Sequence, residues 1–217
     1  MAVASEHSSD WLNARPVLAL GLKLDNSTIK IACGLRLGTA FCQPHKFKCG
    51  VRTHSDIILK EALGSAHLAA VREPLGLFRM DGKCPDGLTL IPLSRGQSLV
   101  WDYTCAYTFA SSHLEANSKE AGNAAHKAEN KKSRHYANLA TSGLFIMPVA
   151  VETLGSFAHM GLQFIKDLGK RIIEVIGDKR STMHLFQRLS IAIQRGNAAS
   201  LTGTLPSASS LDEFYYL

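Results

Sequence analysis

The sequence lacks a run of 18 consecutive apolar residues, the length that a helix needs to cross a bilayer. We therefore expect no membrane span and no membrane partner. The first ten residues, Met1–Asp10, are polar and partly acidic, and they predict no secretory signal. The expected location is intracellular, either nuclear or cytoplasmic.

Several common catalytic motifs are also missing. No Gly-x-Ser-x-Gly elbow occurs, which argues against an α/β-hydrolase nucleophile. Neither a Gly-x-Gly-x-x-Gly fingerprint nor a phosphate-binding loop is present, so a dinucleotide cofactor or a bound nucleotide is not indicated. No internal repeat points to a solenoid or a propeller.

Charged residues are sparse, at 19% of the chain, whereas hydrophobic residues make up 46%. This balance predicts a packed core and argues against global disorder. Among the charges, 24 lysines and arginines outnumber 18 acids, which gives a net charge of +6. The basic balance suits a polyanionic partner such as nucleic acid, although many soluble proteins reach the same value.

The chain has five cysteines, an odd number. Without a secretory signal, metal ligation or free thiols are favoured over disulfides. Cys42, His45 and Cys49 are close enough in sequence to bind one Zn²⁺, with His54 as a candidate fourth ligand. The alternative is that these are ordinary thiols in a loop. Cys33 falls in a predicted helix and is expected to be packed there.

The apolar periodicity predicts an α/β protein with a mixed sheet. We expect an antiparallel meander followed by a helical crossover to a strand at the centre of the sheet. The predicted helices are 28–37, 54–70, 111–139, 156–176 and 179–196, and the predicted strands are 70–73, 88–93, 98–106 and 144–151. The sequence divides into a helical lead-in with a partial Cys/His knuckle (1–53), a main domain (54–198) and a flexible tail (199–217).

Three carboxylates stand near the ends of the predicted strands. Asp102 lies in the middle of the apolar strand Ser98–Cys105, where burial of a charge is costly unless the charge is paired. Asp86 opens the neighbouring strand, and Glu73 ends the strand before it. Asp86 and Asp102 are joined by one hairpin, so they can approach on one face of the sheet and bind a hard divalent cation. The alternatives are that Asp86 is a turn residue and that Asp102 is a satisfied core aspartate.

Cations cluster in the C-terminal half of the helix predicted over 111–139: Lys131, Lys132, Arg134 and His135. A lysine beside the metal could position the attacking water or offset negative charge in a phosphoryl transition state. For Lys119, Lys127 and Arg134 the favoured interpretation is a solvated helix face with ion pairs at spacings of four residues.

A series of short motifs, in order along the chain, resembles a known nuclease family. The segments are Glu73–Leu77, Asp81–Thr89, Val100–Thr104, Ala128-Glu129 with Lys132 and Tyr136, Pro148–Gly155, and Gln187–Asn197. Together they resemble the C-terminal nuclease region of site-specific non-LTR retrotransposon proteins, which belongs to the restriction-endonuclease-like PD-(D/E)XK superfamily.

This resemblance implies an αβββαβ core and Mg²⁺- or Mn²⁺-dependent cleavage of DNA that leaves a 3′ hydroxyl. Glu73, Asp86 and Asp102 would hold the metal. Thr104 stands where the superfamily has its signature lysine, so Lys132 would take that role. The expected partner is DNA, with element RNA as a further candidate. The rival hypothesis is a degraded nuclease fold that only binds nucleic acid or a protein partner.

Overall fold

The computed structural model describes residues 5–38, 51–75, 77, 84–93, 96–137 and 143–203. The helices are α1 (Asp10–Asn13), a 3₁₀ turn (Leu18–Leu20), α2 (Asn26–Leu37), α3 (Val51–Ser65), α4 (Ser111–Lys119), α5 (Asn123–His135), α6 (His159–Ile176) and α7 (Ser181–Thr202). The strands are β1 (Ala70–Arg72), β2 (Gly87–Thr89), β3 (Leu99–Ala106) and β4 (Phe145–Glu152). The predicted α/β class is confirmed, and the order in the core is one helix, three strands, two helices and a strand.

The four strands form one mixed sheet in the order β1-β2-β3-β4. The first three pair antiparallel, and β3 and β4 pair parallel over their full length, from Leu99 opposite Phe145 to Ala106 opposite Glu152. Helices α4 and α5 provide the crossover that a parallel connection needs.

The predicted central position of the last strand is wrong, because β4 stands at one end of the strand order among the described residues. Part of its outer edge is covered by the loop that follows. Ala158 donates to the Ala150 carbonyl, and the Glu152 amide donates to the Ser156 carbonyl. Pro148 has no amide hydrogen to offer to an incoming strand. A fully apolar strand is therefore accommodated at this position without a second strand neighbour.

The main core lies on one face of the sheet, where α3, α6 and α7 pack. Alternate residues of β3 contribute Leu99, Trp101 and Tyr103 to this core. The other face carries α5, which packs through Ala125 against Ala150 of β4. The side chains of β3 that alternate with the core residues, including that of Asp102, therefore point toward α5.

Residues before the main domain pack on the last helix. Trp11, Leu22 and Ala32 form a small apolar cluster with Ile191 of α7. The α2 helix begins after Asp25, whose carboxylate accepts from the Thr28 amide at 2.9 Å, and ends at Gly38 in the left-handed conformation. These caps agree with the helix predicted over 28–37.

The long helix predicted over 111–139 is wrong, because the chain breaks into α4 and α5. Gly122, the residue directly before α5, has φ +86°, a left-handed conformation that a continuous right-handed helix does not contain. Asn117 fixes the break, since its amide donates to the Thr108 carbonyl at 2.8 Å and its oxygen accepts from the Ala124 amide at 3.1 Å. The break re-aims α5 so that its C-terminal half lies over β3.

Candidate active site

Asp102 lies at the centre of β3 with 1% of its surface exposed. Its strand neighbours Trp101 and Tyr103 point into the main core. Since side chains alternate along a strand, the Asp102 carboxylate projects to the opposite face, beneath α5. A carboxylate in this position needs partners that replace its lost hydration.

Two side chains of the α5 region supply those partners. Lys132 donates from Nζ to Asp102 Oδ2 at 2.6 Å, and the Tyr136 hydroxyl donates to the same oxygen. Lys132 keeps 22% of its side chain exposed, whereas Tyr136 is buried. Lys132 and Tyr136 are four residues apart, so they share one face of the helix. The Lys132 side chain, predicted to serve the site from a helix, therefore does reach Asp102.

Asp86 lies one residue before β2 and is 3% exposed. The register pairs Gly87 with Trp101, so Asp86 stands opposite Asp102 on the neighbouring strand. The Asp86 amide donates to the Trp101 carbonyl at 3.0 Å, and Asp86 Oδ2 accepts from the Tyr103 amide at 2.6 Å. Asp86 is thus hydrogen-bonded to the backbone of Trp101 and of Tyr103, the residues on both sides of Asp102. Its carboxylate accepts from the Tyr103 amide, as a backbone carbonyl does in a regular strand pair.

The packing of Trp101 explains why a glycine follows Asp86. A Cβ at this position would lie 2.0 Å from Cζ2 of Trp101, which no real packing allows. Position 87 therefore faces the main core, and by alternation Asp86 belongs to the face that carries Asp102 and α5. The glycine of the Pro-Asp-Gly motif therefore marks a close approach of the backbone to Trp101.

Glu73 is next to Asp86 through its backbone, but its side chain is not held in the site. Its amide donates to the Asp86 carbonyl at 2.9 Å, so its backbone is next to Asp86. Its φ of +47° takes it out of the strand conformation, and its side chain is exposed. Within the described ranges, no group of three or more His, Cys, Asp or Glu side chains is arranged to hold a metal ion. The structure therefore brings Asp86, Asp102 and Lys132 together and leaves Glu73 as a prediction.

The predicted zinc site concerns residues that the structure does not describe. Cys42, His45 and Cys49 lie outside the described residues, as does the side chain of His54. Cys33 packs in α2 beside the Trp11 cluster, as expected, and it is a free thiol.

Two buried glutamates outside the predicted metal site cap helices. Glu129 Oε1 accepts from the amides of Met160 and Gly161 at 3.0 and 3.1 Å, and so caps the N-terminus of α6. Glu152 Oε1 accepts from the Ala124 amide at 3.0 Å and caps α5 in the same way. Their role is to satisfy helix amides and the positive end of the helix dipole.

Glu152 is fully buried at the end of β4. Burial raises the pKa of the Glu152 carboxyl above its ordinary value, because the charged form loses its hydration. The amide of Ala124 opposes this shift by donating to the carboxylate. Sequence reasoning could have located both caps only with knowledge of which helix starts meet α5 and β4.

The cations of α4 and α5 fall into two groups. Lys119 pairs with Glu115 at 2.8 Å on the exposed surface of α4, as the solvated-face interpretation predicts. Lys127 and Arg134 are also exposed, but neither forms an ion pair with any residue in the described ranges. That interpretation therefore accounts for Lys119 and not for the exposed side of α5.

A groove of about 660 Å³ lies elsewhere, between β4 and α6, and its lining includes Phe145, Met147 and Phe164. Met147 and Phe164 also belong to the main core, so this groove is on the sheet face opposite Asp102.

No helix in the described part of the chain is both long and apolar enough to cross a membrane. Comparison with protein-family models and with curated protein sequences finds no match in either.

Proposed function

We propose that this chain is a metal-dependent DNA endonuclease whose site is built from Asp86, Asp102 and Lys132. The observation that carries the proposal is the contact at 2.6 Å between Lys132 and the buried Asp102 carboxylate. Asp86 stands opposite on the adjacent strand. A lysine and two acids at the junction of two strands and a helix are residue types suited to metal-assisted hydrolysis of a phosphodiester.

The donor set fits a hard divalent cation. Lys132 contacts the Asp102 carboxylate, and the register places Asp86 opposite Asp102, so two acids and one ammonium leave an excess of negative charge on oxygen ligands. Mg²⁺ is commonly bound through one or two protein carboxylates, with waters and substrate phosphates completing the coordination. Asp86 and Asp102 would hold the ion, and when bound it would supply Lewis acidity at a phosphate oxygen and lower the pKa of its bound water.

The remaining residues orient these groups. Tyr136 and Lys132 both donate to Asp102 Oδ2, which fixes the position of that oxygen. The Tyr103 amide fixes Asp86. Lys132 is the partly exposed member of the set, so its ammonium can donate to a phosphate oxygen that approaches from solvent, where it offsets developing negative charge.

A second candidate function is a module that binds nucleic acid without cleaving it. The observation in its favour is that Lys132 is already paired with Asp102. A closed ion pair would satisfy the buried carboxylate as a structural feature and leave no group for catalysis. Thr104 at the position of the signature lysine agrees with this alternative.

Nicking of supercoiled plasmid separates the two. The endonuclease hypothesis expects nicking in Mg²⁺, none in EDTA, and a loss of at least about 100-fold in Asp102→Asn. Asp102→Asn keeps the shape of the side chain, and its amide oxygen can still accept from Tyr136. Lys119→Gln, in an exposed pair, serves as the matched control and should nick like wild type. Plasmid binding without nicking in all variants would establish the binding module instead.

A further inference from the structure

The exposed side of α5 carries basic side chains, and no acidic residue of this helix is exposed. Its exposed basic residues are Lys127, Lys131, Arg134 and His135, and we call them the α5 cationic arc. The acid within this helix, Glu129, is buried and caps α6. No ion pair neutralises Lys127, Lys131 or Arg134 within the described part of the chain.

The arc is continuous with the candidate active site. At about 100° per residue, His135 and Lys131 follow Lys132 around the helix surface, and Lys127 and Arg134 complete the arc. Lys132 itself reaches Asp102 at 2.6 Å. His135 and Lys131, about 60° and 100° around the helix from Lys132, thus connect it to Lys127 and Arg134, which lie about 140° and 160° from it.

Helix stability alone does not explain this arrangement. Cations in the last turn interact favourably with the negative end of the helix dipole, which accounts for Arg134. Lys127 is in the N-terminal half of α5, where a cation gains nothing from the dipole. Lys127 and Lys131 are four residues apart, and like charges at this spacing destabilise a helix.

We propose that the α5 cationic arc contacts the phosphodiester backbone of duplex DNA next to the cleavage site. From Lys127 to Arg134 the helix rises by about 10 Å, and one strand of B-DNA rises by about 3.4 Å per nucleotide. With α5 parallel to the duplex axis, the arc therefore spans about three phosphates of one strand. The choice of DNA rests on the proposed endonuclease function, whereas the phosphate chemistry rests on the arc itself.

The salt dependence of binding tests this proposal. A fluorescein-labelled 20-bp DNA duplex is titrated with protein in EDTA, where cleavage does not interfere, at several salt concentrations between 50 and 300 mM. The arc variant carries Lys127→Gln, Lys131→Gln and Arg134→Gln. The control carries Lys23→Gln, Lys170→Gln and Lys179→Gln, exposed lysines with the same total change in charge.

We expect the arc variant to lose about 2 to 3 units from the slope of log K against log salt, since each phosphate contact contributes about 0.9. At 100 mM salt this loss corresponds to weakening on the order of 10²-fold, whereas the control should keep the wild-type slope. A wild-type slope in the arc variant overturns the proposal, as does equal weakening of the control. Tighter binding to a duplex RNA of the same sequence, or arc-dependent binding to anionic vesicles but not DNA, overturns the assignment to DNA.

The failure of the arc and the failure of the proposed function are distinguishable. Arc-dependent DNA binding without nicking by wild-type protein removes the endonuclease and keeps the arc. Nicking that survives in the arc variant, together with unchanged binding, removes the arc and keeps the endonuclease.

Discussion

Replacing Lys132 with methionine removes the ammonium that contacts the buried Asp102 carboxylate. The Nζ–Oδ2 distance is 2.6 Å, and the exposed fractions of the two side chains are 22% and 1%. Removing one partner of a buried ion pair costs about 3–5 kcal/mol. Solvent reaches Lys132, and Tyr136 continues to donate to Asp102, so we expect Lys132→Met to lower the free energy of unfolding by about 2–3 kcal/mol.

Urea unfolding measures this loss, and a double-mutant cycle with Asp102→Asn assigns it to the pair. Removing the carboxylate charge removes the need for the ammonium, so the double variant should be more stable than the sum of the single losses by about 1–3 kcal/mol. Lys119→Met, in an exposed pair, should change the free energy by less than about 1 kcal/mol. If Lys132→Met resembles Lys119→Met and the coupling is near zero, the pair does not form as described.

Four further substitutions test the packing, backbone conformation and electrostatics of the fold. Gly87→Ala places a Cβ 2.0 Å from the Trp101 ring and should cost about 1–3 kcal/mol or more, seen as a lower urea midpoint and a changed near-UV signal of the tryptophan. Gly122→Ala, at φ +86°, should lower the free energy of unfolding by about 1–2 kcal/mol. Gly64→Ala, at an open helix position of α3, should raise it by about 0.5–1 kcal/mol. Equal changes in the two variants would contradict a left-handed conformation at Gly122. Because the pKa of Glu152 is raised, this residue stabilises the fold fully below the ordinary glutamate pKa and less as pH rises through the raised value. Urea unfolding of the wild type should therefore show this loss of stability between pH 4 and pH 8, and Glu152→Gln should not.

The sequence predicted the α/β class and the antiparallel pairing that places Asp86 beside Asp102. Both follow from local signals: the apolar strand around Asp102, and a hairpin too short to let the strands separate. The reach of Lys132 to Asp102 was expected from the family resemblance. Tyr136, four residues after Lys132, repeats the same helix face, and this spacing could have indicated its contact with Asp102 in advance.

Other features depend on tertiary contacts that no local pattern carries. The alanine-rich stretch from Ser111 onward has good helix propensity, and one glycine costs only about 1 kcal/mol in a helix. The break at Gly122 is fixed by Asn117, whose partners lie on both sides of it. The position of β4 was mispredicted because an apolar strand indicates burial on both faces and does not indicate how many strands flank it.

The most direct measurement of the central claim is the rate of single-turnover cleavage of a duplex DNA in Mg²⁺ by wild type, Asp86→Asn, Asp102→Asn and Lys132→Met. Folding of each variant is checked by circular dichroism, and DNA binding by the EDTA titration. If Asp86, Asp102 and Lys132 form one hydrolytic site, each variant binds DNA but cleaves at least about 100-fold more slowly than wild type. Cleavage by folded Asp102→Asn at the wild-type rate, or no cleavage by the wild type despite tight binding, would contradict the account.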